Sequence, residues 1–540
     1  MKLRSLARTH LRWRALCRVA RSHCRTGAAL FAALFMTAVL SPSAASAASC
    51  SSLASLALAD TTITSAESVP AGSFTQPGAP APPAQAAQPF KNLPEFCRVA
   101  AVVKPTTDSE IKIEVWMPAS GWNGKLLASG NGGWAGSINY GGLAQAVQLG
   151  YAGASTDTGH TGNGGDASFA FNHPEKLIDF GYRSVHLMTV EAKAIIAAFY
   201  GNDPRLSYWN GCSTGGKQGL TEAQRYPQDY NGIIEGDPAS FFTRLMFGTF
   251  WPAAVNLKDP AKYIPPSKYS MIHQAALDAC DKLDGVQDGI IDDPTRCHFD
   301  PKVLECTGPE TPTCLTSAQV ESVQKIYAGP KNPRTGKQIF PGEEPGSEQW
   351  AGLAKGPQPM IIPLTYFKYV VFKNPDWQWQ TLNFDKDVAL ADRLTAKILD
   401  ATDPNLKPFK AHGGKLLMYH GWADGTIVPG VSVNYYQSVV KAMGGAAKTE
   451  DFARLFMIPG MGHCWGGPGP DTFDKIGVLE QWVEKGVAPD KIIASHKTNG
   501  VEDMTRPLCP YPQVARWAGS GSTNDAANFK CVNPGEEGAK

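Results

Sequence analysis

The sequence predicts an α/β fold, a mostly parallel sheet with helices on both faces and a large insertion. Three observations lead there. Short apolar runs of strand character alternate with amphipathic helical patterns. A small-residue turn joins one of those strands directly to a helix. One long segment then breaks the alternation before it resumes near the C-terminus. Over 540 residues the chain is 43% hydrophobic and 18% charged, with 54 Gly and 41 Pro. That balance excludes a disordered chain and leaves room for more than one domain.

Residues 1–47 carry eight Lys/Arg and no acid, followed within the same stretch by an apolar run from Gly27 to Leu40, a break at Pro42 and the small residues Ala45-Ser46-Ala47. This is the order of a secretory signal peptide. The fourteen-residue apolar run is short for a membrane span. The expected product is secreted or periplasmic, with no membrane attachment after cleavage. Without that stretch 42 basic residues face 49 acidic ones, a net charge of −7. No electrostatic footprint for nucleic acid or anionic lipid remains.

An N-terminal segment, 48–96, contains a Pro/Ala/Gly-rich connector at 68–89. The sheet domain is read over 97–237 and 409–540. Its strands are expected at Arg98–Val103, Ile111–Met117, Lys125–Ser129, Gly150–Ser155, Leu206–Asn210, Gly232–Ile234, Lys415–His420 and Ala453–Ile458. Helices are expected at Tyr182–Phe199, Lys217–Tyr226, Val431–Met443 and Thr472–Lys485. Residues 238–408 are rich in Pro, Lys, Asp and Trp and hold four of the ten cysteines of the mature chain. They read as an inserted lid. Its aromatic runs, FFTRLMFGTFW at 241–251 and YFKYVVF with Trp377 and Trp379, suit either a wall for a flat ring or the lid's own core.

Gly211-Cys212-Ser213-Thr214-Gly215 fits G-x-S-x-G between the strand LSYWN and the helix KQGLTEAQRY. A sharp strand-to-helix turn needs small flanking residues and lifts its serine above the strand ends. Two nucleotide motifs come close. Gly211 to Lys217 reads G-x-x-x-x-G-K, but Gln218 stands where a P-loop needs Ser or Thr for magnesium. Gly130 to Ala135 reads G-x-G-x-x-A, with Asp157 spaced for a ribose contact. An exported chain meets little ATP or NAD, which disfavours both.

If Ser213 is a nucleophile of the α/β-hydrolase type, an acid and then a histidine should follow it, each just after a later strand. Asp424, in GWADGT after KLLMYH, and His463, in PGMGHCWGG after ARLFMIP, meet both demands. His412 and His420 precede Asp424, and His496 lies inside an apolar run. Cys212 and Cys464 adjoin the serine and the histidine, so a 212–464 disulfide would tie the two together. An even count of ten cysteines in an exported chain suggests disulfides. Spacing hints at the local pairs 280–297, 306–314 and 509–531, and the absence of any C-x-x-C leaves zinc and redox motifs unsupported.

At these residues the chain resembles the tannase/feruloyl esterase family, which includes the mono(hydroxyethyl) terephthalate hydrolases. The matching stretches include LLASGNGGWAG, STDTGH, YWNGCSTGGKQGLTEAQRYPQDYNGII, CDKLDGVQDGIIDDPTRC, MYHGWADG, FARLFMIPGMGHCWGGPGPDTFD and RPLCPYPQVARWAGSGSTNDAANFKC. The resemblance implies an α/β-hydrolase domain with a large lid and a Ser213-Asp424-His463 triad. It implies an oxyanion hole from the N–H groups of Gly133 and Thr214. It implies disulfides 212–464, 50–97, 280–297, 306–314 and 509–531, using Cys50, Cys97, Cys212, Cys280, Cys297, Cys306, Cys314, Cys464, Cys509 and Cys531. It also implies a structural calcium ion in the lid, held by Asp281, Asp284 and Asp288 with main-chain oxygens of Val286 and Ile290, and no organic cofactor. That oxygen-only donor set suits a hard cation. The implied substrate is a small aromatic-acid ester of feruloyl, hydroxycinnamoyl or galloyl type. A terephthalate ester is the alternative, but Ile427 stands where those hydrolases carry an aromatic residue. From other classes stand a catalytically silent calcium-bound binding protein and a nucleotide-dependent enzyme using the near-miss loops.

Overall fold

Alternating apolar residues in the C-terminal half of the sheet divide its strands between two cores. A computed structural model describes residues 48–78, 90–348, 350 and 358–534. Residues 1–47, expected to be a signal peptide, and residues 79–89 of the connector lie outside the described residues. The main sheet has nine strands: β1 (Thr61–Val69), β2 (Phe96–Val103), β3 (Ile111–Pro118), β4 (Lys125–Ser129), β5 (Ala152–Thr156), β6 (Leu206–Cys212), β7 (Gly232–Gly236), β8 (Lys415–Gly421) and β9 (Ala453–Ile458). Their spatial order is β1-β2-β3-β5-β4-β6-β7-β8-β9. The first three junctions are antiparallel and the remaining five, from β5–β4 to β8–β9, are parallel.

Successive side chains of a strand point to opposite faces. Leu126, Trp209, Ile233, Leu416 and Met418 bury on one face against the helices Ser184–Tyr200, Thr214–Arg225 and Gly430–Met443. Leu127, Tyr208, Ile234, Leu417 and Tyr419 bury on the other, against the helix Lys475–Lys485 with Leu479 and Trp482. Helices cover both faces, as the alternation predicts. The order reverses where β4 sits between β5 and β6, and loops leaving the carboxyl ends of β4 and β6 meet there. Such a switch point is where open α/β sheets build sites.

The predicted strands are all present, with ends differing by a few residues. The helix expected from Lys217 begins at Thr214, directly after Ser213. Beyond the expected set are β1, which pairs antiparallel with β2, and two C-terminal ribbons, Ile492–Thr498 with Val501–Leu508 and Val514–Trp517 with Phe529–Val532. These strands are half solvated and, apart from the apolar run around His496, give only a weak apolar pattern.

Between β7 and β8 the chain is helical among the described residues, including Phe242–Asn256, Tyr269–Cys280, Ser317–Ala328 and Lys386–Leu399. Here Phe242, Phe247, Phe250, Tyr366, Phe367, Trp377 and Trp379 pack together in one buried cluster. The aromatic runs therefore form the core of the insertion. All five disulfides pair as expected: 50–97, 212–464, 280–297, 306–314 and 509–531. The described residues group into one compact unit.

Leu417 is fully buried at the centre of β8. Leu417→Ala removes its packing against the helix Lys475–Lys485 and is expected to cost about 2–5 kcal/mol, read as a lowered midpoint in urea or heat.

Candidate active site

Backbone geometry builds the site first. Ser213 sits at φ 63°, ψ −125°, between the last residue of β6 and the first of the following helix. A non-glycine residue held there carries strain of about 1–3 kcal/mol, which the surroundings must overcome. They do so by close packing. A Cβ on Gly211 would lie 2.3 Å from the Gly215 carbonyl oxygen, and one on Gly130 would lie 2.5 Å from the Gly215 Cα. The glycines of the motif thus let the serine turn nest against the loop after β4. Ser213 N–H donates to the Gly236 carbonyl at 2.9 Å, fixing the turn to β7.

The loop after β4 is tied to the helix after Ser213 by side chains. Gln218 accepts from Asn131 N–H (3.1 Å) and donates to the Asn131 side-chain oxygen (3.2 Å), while Asn131 Nδ2 donates to the carbonyls of Ser137 and Thr156. Thr214 Oγ1 donates to the Gly133 carbonyl at 2.7 Å. Gly133 has φ +54°, and a Cβ there would lie 2.1 Å from the Gly164 carbonyl oxygen. Among the described residues, neither the Gly133 nor the Thr214 backbone N–H has a hydrogen-bond acceptor.

Asp424 and His463 come from the loops after β8 and β9. His463 Nδ1 and Asp424 Oδ2 are 2.7 Å apart, and the Asp424 side chain is fully buried. Asp424 Oδ1 also accepts from the N–H groups of Thr426 and Ile427. Burial works against charge on the His463 ring, but the carboxylate beside it outweighs that and raises its pKa. Burial likewise opposes ionisation of Asp424, and the two neighbouring histidines reverse this and hold its pKa below the usual carboxylate range. The Cys212–Cys464 bond joins the neighbours of Ser213 and His463, with their Cα atoms 6.0 Å apart. Ser213 and His463 both line a cavity of about 780 Å³.

Two buried groups here escaped the sequence reading. Asp237, immediately after β7, accepts from Gly421 N–H at 3.0 Å and lies within 4.8 Å of both Asp424 and His463. Burial raises its pKa to about 6, tempered by His420. His420, on β8, has Nε2 2.8 Å from the Ile427 carbonyl and 3.3 Å from Asp424 Oδ2, and Nδ1 2.7 Å from Ser432 Oγ. The available signal was position: Asp237 occupies the same strand-end level as Ser213 and Asp424.

The nucleotide motifs take other roles. Lys217 is fully buried, with Nζ donating to the Gly181 carbonyl, and Asp157 is buried and accepts from Lys112 and Gly159 N–H. Among the described residues, the aromatic residues lining the cavity are Tyr140, Tyr419 and Trp465, none of them from the runs at 241–251 or 366–379.

In the insertion, Asp281 accepts from the N–H groups of Asp288 and Gly289, and Asp284 from Val286 N–H. Asp288 pairs with Arg506. Burial and the Asp288 charge raise Asp284 to about 6, and burial together with Asp284, Asp293 and Asp288 raises Asp292 well above its ordinary value. These are oxygen donors with mutually repelling charge inside the 280–297 disulfide loop, a chemistry that fits a hard divalent cation. Val286 and Ile290 are buried in the same loop.

Comparisons with known proteins agree with this architecture. The family model for tannase and feruloyl esterase matches residues 97–532. An uncharacterised esterase of Xanthomonas campestris pv. campestris is 39% identical over 525 residues, covering 88% of this chain and 90% of that protein. A probable feruloyl esterase B-2 of Aspergillus terreus is 32% identical, covering 81% and 86%. The crystal structure of feruloyl esterase B from Aspergillus oryzae superposes with a TM-score of 0.83 at 31% identity, covering 89% of this chain and 99% of that one. The fold is that of the α/β-hydrolases. The chain belongs to the tannase and feruloyl esterase family and is a carboxylic ester hydrolase.

Proposed function

We propose that the protein is an exported serine esterase that cleaves aromatic-acid esters of feruloyl or galloyl type through Ser213, His463 and Asp424. The observation that carries this reading is the Cys212–Cys464 bond, which sets the neighbours of serine and histidine against each other at one cavity. Ser213 Oγ attacks the ester carbonyl while His463 Nε2 takes its proton and later gives it to the leaving alcohol. Asp424, bonded to Nδ1, fixes the tautomer and stabilises the imidazolium. The N–H groups of Thr214 and Gly133 receive the developing oxyanion, each donor worth about 10²–10³ in rate. Water then attacks the acyl-enzyme with His463 as base.

The aromatic acyl group is supported by the family and by Tyr140, Tyr419 and Trp465 around the cavity. Export is supported by the signal-like N-terminus and by five disulfides, which persist in oxidising compartments. The Asp281–Ile290 loop would hold calcium through Asp281, Asp284 and Asp288 with the carbonyls of Val286 and Ile290, and the ion's role there is to neutralise and brace the loop.

Methyl ferulate and methyl gallate, assayed beside mono(hydroxyethyl) terephthalate, test the substrate. Turnover of at least one of the first two is expected, and Ser213→Ala should lower kcat by at least about 10³-fold. Absence of turnover of both would overturn the substrate class, and a fully active Ser213→Ala would overturn the mechanism.

The pH profile tests the dyad. His463 must be neutral to act as base, so kcat/KM falls as pH drops through its raised pKa. Asp424→Asn removes the charge that raises it. The acid limb should move to lower pH while the plateau falls by about 10⁴. An unmoved limb would contradict the assignment.

Removal of calcium with EGTA should lower the thermal midpoint by several degrees, with recovery on adding calcium. Asp284→Asn should blunt that response.

A further inference from the structure

Outside the cavity of Ser213, three ligating side chains converge between two helices and a turn. His186 lies in the first turn of the helix Ser184–Tyr200, Glu222 in the last turn of the helix Thr214–Arg225, and Asp229 in the turn that leads from that helix into β7. A ring nitrogen of His186 and one carboxylate oxygen each of Glu222 and Asp229 all lie within 4.8 Å of one another. None of the three lines the Ser213 cavity or belongs to the acidic loop of the insertion.

Local structure holds two of them in place. Asp229 N–H donates to the Tyr226 carbonyl at 2.9 Å, which closes the turn, and the Asp229 carbonyl accepts from Lys193 Nζ. The His186 ring stacks on Tyr226, with centroids 3.8 Å apart and planes 7° apart, and its Nδ1 is 2.7 Å from Asp229 Oδ2. An imidazole held between a ring and a carboxylate has little freedom left to lose when it takes a ligand.

Glu222 is the group that protein contacts leave unanswered. It is 1% exposed, and among the described residues neither carboxylate oxygen has a hydrogen-bond partner. A buried carboxylate is strongly unfavourable without a cation or donors beside it. The nearby ammonium groups are engaged elsewhere, Lys193 at the Asp229 carbonyl and Lys217 at the Gly181 carbonyl, and reach Glu222 only through space. Burial, and then the charge of Asp229, push the Glu222 pKa well above its ordinary value. A cation bound among the three side chains relieves the burial and the repulsion together.

The donor set selects the ion. Calcium takes six to eight oxygens, whereas one imidazole nitrogen and two carboxylate oxygens are ligand types of zinc and its neighbours. Zinc bonds of about 2.0–2.2 Å place tetrahedral ligands about 3.4 Å apart. The separations here, 2.7 Å for His186 and Asp229 and under 4.8 Å for all pairs, bracket that value. The His186 and Asp229 side chains are 29% and 14% exposed, so the group opens to solvent on one side, which admits an ion and a water as fourth ligand.

We propose that His186, Glu222 and Asp229 form a binding site for a divalent transition-metal ion, zinc by its ligand types, that fastens the end of the serine-bearing helix to the helix Ser184–Tyr200. Glu222 is nine residues beyond Ser213, about 13 Å along the helix, so the ion braces the helix and takes no part in the proposed acyl transfer. The proposal goes beyond the esterase reading and does not rest on it.

The test titrates the untagged, disulfide-bonded chain with zinc in excess calcium, which keeps the acidic loop of the insertion occupied. One zinc per chain should survive gel filtration, counted by elemental analysis, and zinc at a hundredfold above its Kd should raise the thermal midpoint by a few degrees. Cobalt(II) in its place should give visible d–d absorption. Glu222→Gln and His186→Gln each delete one ligand and keep a hydrogen-bonding side chain; each should weaken zinc by about 100-fold or more. His186 is partly exposed, so loss of zinc from His186→Gln at an unchanged metal-free midpoint is loss of a ligand and not of the fold. A wild type that retains no zinc, or variants that retain it as the wild type does, would overturn the proposal. So would a midpoint indifferent to zinc in the wild type and raised by Glu222→Gln, the signature of a proton shared between the two acids. Ester turnover is not read, so failure here leaves the esterase reading standing.

Discussion

The bond between Cys212 and Cys464 is the constraint on which the site depends. It spans 252 residues of sequence and closes the loop that contains the entire helical insertion. In the chain-entropy picture a loop of that length removes about 5 kcal/mol of freedom from the unfolded state. The placement matters more than the sum. Ser213 and Cys464 both hold positive φ, at 63° and 67°, so the cross-link joins two turns that are individually unfavourable. Each turn is pinned by the other, and covalent structure as well as packing brings the serine and histidine turns to one cavity. In the proposed mechanism, preorganisation of this kind lowers the orientational cost of the first chemical step.

Beneath that link lies a second constraint, electrostatic in kind. Buried Asp237, His420 and Asp424 and the partly exposed His463 form one group of two acids and two imidazoles. Burying such charges is costly unless they are paired and hydrogen-bonded. Here Asp424 receives two backbone N–H bonds and Asp237 one, while His420 is anchored at Ser432 and the Ile427 carbonyl. The end of β8 and the loop that follows it supply the backbone donors, so the same segment both locates Asp424 and hydrogen-bonds the two acids. Packing of glycine on glycine between Gly130, Gly211 and Gly215 completes the arrangement by bringing the loop after β4 within reach of the serine.

Much of this was legible in the residues. Strands β2 to β9 are apolar runs buried on one or both faces, and buried strands announce themselves that way. The order of Ser213, Asp424 and His463, each beyond a strand, was enough to single them out, and their neighbouring cysteines gave the cross-link. What was not legible follows from physics too. Strand β1 and the C-terminal ribbons are half solvated, so their pattern is weak. The aromatic runs of the insertion could have been wall or core, since both bury rings, and only packing decides; they are core. Asp237 and His420 carry no motif, because their role comes from where β7 and β8 end in space. The Asp281–Ile290 loop reads as a solvated acidic turn by spacing alone, and its burial with Arg506 against Asp288 appears only when the C-terminal ribbon packs over it.

The central claim is that Ser213 is held as an activated nucleophile beside His463. Stoichiometric reaction with a fluorophosphonate, followed by peptide mass spectrometry, addresses it most directly. The account predicts one phosphonyl group per chain, carried on the hydroxyl of Ser213. A chain that takes up no label in its oxidised, folded form, or that carries it on another residue, would contradict it.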